Sequence, residues 1–142
     1  TSLDGTIQSQ YLNLLLDLQK ENDLAILFIT HDFGVVAKMC SRVLVMYAGR
    51  VVESGSVRDV FDRPAHPYTR ALLDSIPKMG RKADRLFSIQ GQPPVLWNLP
   101  DGCRFAPRCP RAADQCQAEY PVEVEIGAGH RANCWRPGKA AS

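Results

Sequence analysis

The hydrophobic pattern changes period twice within the first forty residues. Ile7, Tyr11, Leu14, Leu15 and Leu18 recur at helical spacing, which predicts an amphipathic helix with Asp4 as its N-cap and the polar run Gln19 to Asp23 as its end. Leu24-Ala25-Ile26-Leu27-Phe28-Ile29 is an unbroken apolar run of the kind that forms a strand buried on both faces of a parallel sheet. Thr30, His31 and Asp32 interrupt it, and Phe33, Val36, Ala37 and Cys40 follow at i, i+3, i+4 and i+7, predicting a helix over about 32–40. The result is a strand, a polar corner and a helix. In open α/β sheets such a corner is where ligands are held. A parallel strand needs a parallel neighbour, and none precedes this one, so the expectation is an α/β domain that has been cut.

Val43 to Tyr47 and Arg50 to Glu53 are strand-like runs separated by Ala48-Gly49, predicting a hairpin that Gly55 closes. Ser56-Val57-Arg58-Asp59 resembles a capping box, and Val57, Val60 and Phe61 give a short helix stopped by Pro64. His66-Pro67-Tyr68 opens another helix, with Pro67 at its first position, Tyr68, Leu72, Leu73 and Ile76 on its apolar face, and Pro77 beyond. After Met79 the composition shifts. Seven of the ten prolines lie at or beyond Pro93, together with four of the five cysteines, so long regular elements are not expected there. Too few aliphatic residues remain for a separate core, which points to a disulfide or metal staple.

The chain has 142 residues, enough for one ordinary domain or for part of one plus a small appendix, and the second option suits the pattern better. A formal charge of +2, from 17 basic and 15 acidic residues, gives no field of the kind that marks nucleic-acid binding. No apolar run approaches the roughly 20 residues needed to cross a bilayer, and the first residues carry no basic-then-apolar signal pattern, so the chain reads as soluble and cytoplasmic. An odd number of cysteines without an export signal favours metal binding over a disulfide framework. Cys40 is the odd one, read as a core thiol of the α/β part.

Two constellations carry candidate chemistry. His31 sits where a buried parallel strand would end, placed to face bound phosphate, although an isolated histidine there is more commonly a structural hydrogen bonder. Its setting alters that balance. Ser2-Leu3-Asp4, a helix, the run Ile26 to Ile29 followed by Thr30-His31-Asp32, and then Arg42 to Gly55 together resemble the closing third of an ABC-transporter ATPase domain. The resemblance implies that Ser2, Leu3 and Asp4 form the D-loop at the dimer interface and that His31 is the switch histidine contacting the γ-phosphate of ATP. No Gly-x-x-x-x-Gly-Lys-Ser/Thr phosphate loop and no family signature occur, and the catalytic glutamate would fall just before Thr1, so this stretch alone is not expected to hydrolyse ATP. His66 to Leu73, Gly91-Gln92-Pro93-Pro94 and the cysteine pattern narrow the resemblance to ATP-binding subunits of oligopeptide and dipeptide importers.

The fold class so implied is α/β: the C-terminal part of a P-loop NTPase (ABC ATPase) domain over residues 1–62, then a small irregular four-cysteine domain over 63–142. The resemblance also implies ATP with Mg as cofactor in the intact subunit. Its implied partners are a second ATPase subunit, transmembrane permease subunits and, indirectly, an extracytoplasmic peptide-binding protein. The implied location is peripheral, on the cytoplasmic face of the inner membrane.

The second constellation is Cys103, Cys109, Cys116 and Cys134, separated by five, six and seventeen residues. Four thiolates are the usual complement of a 4Fe-4S cluster, and Pro110 directly after Cys109 matches a ferredoxin-type Cys-Pro ending. Zinc is the alternative, although the short Cys-x-x-Cys turns common in structural zinc sites are absent, and free or paired thiols are the third reading. Arg104, Arg108, Arg111, Arg131 and Arg136 are interleaved and would offset the negative charge of such a centre, or are simply solvated. His130 would make a fifth ligand and reads as an outer neighbour or a surface residue. A free-standing metal module with a redox or regulatory role is the alternative to the importer reading.

Overall fold

The computed structural model describes residues 5–76 and 88–138; Ser2, Leu3, Asp4 and Pro77 lie outside the described residues. The chain divides into two compact units between Ser41 and Arg42.

In the first unit, α1 (Gly5–Asn22) forms as its periodicity predicts. Its end has the geometry of a Schellman motif: Asp23 adopts a left-handed φ of 51°, and the Leu24 N–H donates to the Gln19 carbonyl at 3.1 Å. The strand expected at 24–29 does not form. Among the described residues no ladder includes it, and Leu27 and Ile29 are 80% and 94% exposed. Apolar composition makes a segment suitable for a buried strand, but a strand exists only where a neighbour accepts and donates its backbone hydrogen bonds. Next, α2 (Phe33–Met39) begins at Asp32, whose Oδ1 accepts from the Gly34 and Val35 N–H groups at 2.8 and 3.2 Å. Its buried residues are Val35 and Met39, one position round from the expected face, and Cys40 is only half-buried at the helix end.

The second unit is built on one antiparallel sheet of β1 (Arg42–Tyr47), β2 (Arg50–Ser56), β3 (Glu123–Gly127) and β4 (His130–Asn133), in the order β1-β2-β4-β3. The predicted hairpin is present as β1 (Arg42–Tyr47) and β2 (Arg50–Ser56). Ala48 and Gly49 have φ of 47° and 82°, the two left-handed positions of a type I′ turn. Gly55 lies inside β2 and does not close the hairpin: a Cβ there would meet Val60 Cγ2 at 3.1 Å and His130 Cδ2 at 3.2 Å, so glycine allows a helix and a strand to approach this backbone closely. The Ser56 Oγ accepts from the Asp59 N–H at 3.0 Å and starts α3 (Val57–Asp62), while His66 and Pro67 start α4 (Pro67–Asp74).

Regular structure also appears in the proline-rich part, in short pieces: α5 (Asp114–Ala118), β3 (Glu123–Gly127) and β4 (His130–Asn133). β4 pairs with β2, opposing Ala132 to Glu53 and Arg131 to Ser54. The core contains Val45, Tyr47, Val52 and Val60 from the first part of the unit and Phe105 from the later part. Phe105 packs its ring 5.3 Å from those of both Tyr47 and Tyr68. Sheet and core therefore both cross position 62. The later segment is ordered by contributing to the hairpin's core, since it lacks the aliphatic residues for its own.

Candidate metal centre

Backbone hydrogen bonds and short regular elements deliver the four late cysteines. The Cys103 N–H donates to the Cys116 carbonyl at 2.7 Å, tying the first loop to α5. Gly102 makes this approach possible, because a Cβ at that position would stand 2.4 Å from the carbonyl oxygens of Cys116 and Gln117. One turn of 3-10 helix (Ala106–Arg108) follows, and the Cys109 N–H closes it on the Ala106 carbonyl at 3.1 Å. Cys116 is carried by α5, and Cys134 directly follows β4. All four line one pocket, shared with His66, Phe105, Arg111 and Arg136. Cys40 belongs to the other unit. None of the five is in a disulfide.

The electrostatics agree with convergence. Burial pushes the Cys103, Cys109 and Cys134 thiols up, Cys134 to about 11, and the neighbouring cysteines add to each rise. Arg111 and Arg136 pull Cys109 the other way. Thiols in this setting hold their protons until a cation competes for the sulfur. Among the described residues, however, no group of three or more His, Cys, Asp or Glu side chains is placed to hold a metal ion. The cysteines share a cavity without closing on a single point.

The interleaved arginines divide. Arg111 and Arg136 line the pocket, whereas Arg104 donates to the Ala48 carbonyl and Arg131 pairs with Glu123 at 3.3 Å. Arg108 reaches the Tyr47 hydroxyl at 3.2 Å and the Ile89 and Gln90 carbonyls at 3.1 and 2.9 Å, fixing the segment before Gly91.

His130 is neither a cysteine neighbour in this pocket nor a surface group. It is buried, with Nε2 2.7 Å from Glu53 Oε1. Glu53 is the residue that sequence reasoning missed. Its side chain is 0% exposed and also accepts from the Ala65 and His66 N–H groups, each at 2.8 Å, so one carboxylate fixes the corner before α4. A single acidic residue within the apolar run Val51-Val52-Glu53 is the signal that could have found it.

That corner presents His66 to the pocket. Its Nδ1 accepts from the Tyr68 N–H at 3.0 Å, capping α4. Burial lowers its pKa to about 4, so the ring is neutral near pH 7 and, with Nδ1 accepting, carries its one hydrogen on Nε2. Among the described residues Nε2 has no hydrogen-bond partner, an omission that costs about 1–3 kcal/mol for a buried polar group. His31, by contrast, is exposed just before α2.

Residues 52–116 match the family described as the oligopeptide/dipeptide transporter, C-terminal region. Over 137 residues the chain is 53% identical to a probable peptide ABC transporter ATP-binding protein of Sinorhizobium fredii, covering 96% of this chain and 41% of the relative. It is 46% identical to the oligopeptide transport ATP-binding protein OppD of Salmonella typhimurium (96% and 41%) and 44% identical to the dipeptide transport ATP-binding protein DppD of Bacillus subtilis (95% and 40%). The chain thus spans about two-fifths of the length of these curated relatives.

Proposed function

We propose that this chain, a homologue of peptide ABC-transporter ATP-binding proteins with the oligopeptide/dipeptide transporter C-terminal region at residues 52–116, is the carboxyl-terminal part of a subunit that binds and hydrolyses ATP to drive peptide import. The observation that carries this reading is similarity running through 96% of the chain, across both of its units. Residues 1–62 then close the ATPase domain, and 63–142 form the importer-specific extension, which shares its sheet and core with the hairpin of the first part. The solute is a dipeptide, a longer peptide or a nickel chelate. The partners are a second ATPase subunit, the membrane permeases and, through them, an extracytoplasmic binding protein, with the subunit peripheral on the cytoplasmic membrane face. The described part has no helix long and apolar enough to cross a membrane.

His31 contacts the γ-phosphate of ATP, and Ser2, Leu3 and Asp4 cross the dimer interface. Phosphoryl transfer to water depends on placing the nucleophile and on donors aimed at the developing phosphate charge; an exposed imidazole just before α2 suits the second task. A donor engaged mainly in the transition state affects rate more than ground-state affinity. In the full-length subunit, His31→Ala is expected to lower ATP turnover sharply with little change in nucleotide binding. Unchanged turnover would reduce His31 to a structural role.

Cys103, Cys109, Cys116 and Cys134 would hold a 4Fe-4S cluster, with zinc as the alternative. Four free thiols lining one pocket, with Arg111 and Arg136 beside them, are the observation that supports this reading. When bound, it would cross-link the segment as a staple. Anaerobically prepared protein should be brown, and serine at any of the four positions should impair assembly. One zinc in a colourless protein would replace the cluster by a structural ion.

A further inference from the structure

His66 has one ring nitrogen committed and one without a partner among the described residues. Nδ1 caps α4, the backbone N–H is held by the buried Glu53 carboxylate, and the ring stands 6.0 Å from Phe105, so neither ring nor backbone has much freedom. The remaining donor, Nε2–H, belongs to a residue 1% exposed that shares a pocket wall with all four late cysteines. The other buried side-chain atom without a partner among the described residues, Thr69 Oγ1, belongs to a residue that does not line that pocket.

We propose that His66 is a positioning residue whose Nε2–H donates a hydrogen bond to metal-bound sulfur at the four-cysteine site, coupling that site to the first turn of α4. This rests on the metal-centre reading above. A thiolate or sulfide carrying negative charge is the acceptor such a donor lacks, and the bond would satisfy both groups. Because the donor is fixed before any metal arrives, little ordering is needed to use it. A hydrogen bond to a cluster sulfur stabilises the reduced, more negative state and raises the reduction potential.

Two substitutions separate the ring's two tasks. His66→Asn keeps an oxygen near Nδ1 able to cap α4 and removes the distal donor, whereas His66→Gln keeps an amide N–H near the Nε2 position and loses the cap. In full-length, anaerobically reconstituted protein, redox titration followed by electron paramagnetic resonance should give a more negative midpoint for His66→Asn than for wild type, with His66→Gln close to wild type. Cd2+ serves as a second probe, read by thiolate-to-metal ultraviolet absorption. Its affinity should fall about tenfold in His66→Asn, as expected for losing a hydrogen bond to a charged group, and be retained in His66→Gln. If wild type binds metal and His66→Asn changes neither potential nor Cd2+ affinity, the inference is wrong while the metal centre stands. If wild type takes up neither iron–sulfide nor Cd2+ on these cysteines, the metal-centre reading fails and the inference falls with it.

Discussion

Residues 5–41 and 42–138 are similarly provided with apolar side chains and use them differently. In the first unit Ile7, Tyr11, Leu14, Leu24, Leu27 and Ile29 are all at least half exposed, and the polar groups at α2 are satisfied locally, Asp32 by its own helix and Thr30 by the Asp32 N–H. In the second, Val60, Phe105 and Ala132 are 0–1% exposed, and the decisive polar contacts join residues far apart in sequence, such as Glu53 and His130. Local chemistry suffices for a cap or a Schellman turn. A core and a buried carboxylate need partners supplied by distant residues, and only the second unit has them among the described residues.

The largest way to break this contrast is at Glu53. Glu53→Ala leaves the Ala65 and His66 N–H groups and the His130 ring without their acceptor in a dry interior, and is expected to cost about 3–5 kcal/mol in urea unfolding. A loss below about 1 kcal/mol would mean that the buried network contributes little. Acid acts on the same corner. The folded-state pKa of His66 lies near 4, below its ordinary 6.5, so the unfolded chain takes the proton first. Stability should be undiminished by this group above pH 6.5, fall as pH drops from there to about 4, and level off below, losing up to about 3 kcal/mol. His66→Asn should flatten that slope.

Smaller effects test the loops. Gly102→Ala pushes a methyl against two carbonyl oxygens, and about 1–3 kcal/mol should be lost in urea unfolding. Ser56→Ala removes the α3 cap and should cost about 1 kcal/mol, measurable as a lowered urea midpoint at unchanged slope. At the bottom of the range stands the first unit. Leu27→Ser with Ile29→Ser should change stability of the 142-residue chain by no more than about 0.5 kcal/mol, because both side chains are already in water, while reducing self-association seen by light scattering. A large destabilisation would show that these residues are buried in solution.

The four late cysteines were legible as a set but not as a geometry. Composition and spacing grouped Cys103, Cys109, Cys116 and Cys134 together, and all four do reach one pocket. His66 was legible as a helix start, because Pro67 after it fixes that reading locally. Its free Nε2 was not, since what a side chain fails to meet depends on the whole surround. His130 was misplaced for the same reason: four residues from Cys134 in sequence, it turns to a carboxylate 77 positions away.

By itself the sequence determined what depends on neighbours within a few residues: the period of α1, the Asp32, Ser56 and His66 caps, and the Ala48-Gly49 turn, each set by backbone sterics and short-range hydrogen bonds. Tertiary structure alone decided that Leu24 to Ile29 joins no ladder among the described residues, that β4 joins β2, that Phe105 completes the hairpin's core and that Glu53 can be buried. Strand pairing and burial are properties of two surfaces meeting, and an apolar run specifies only one of them.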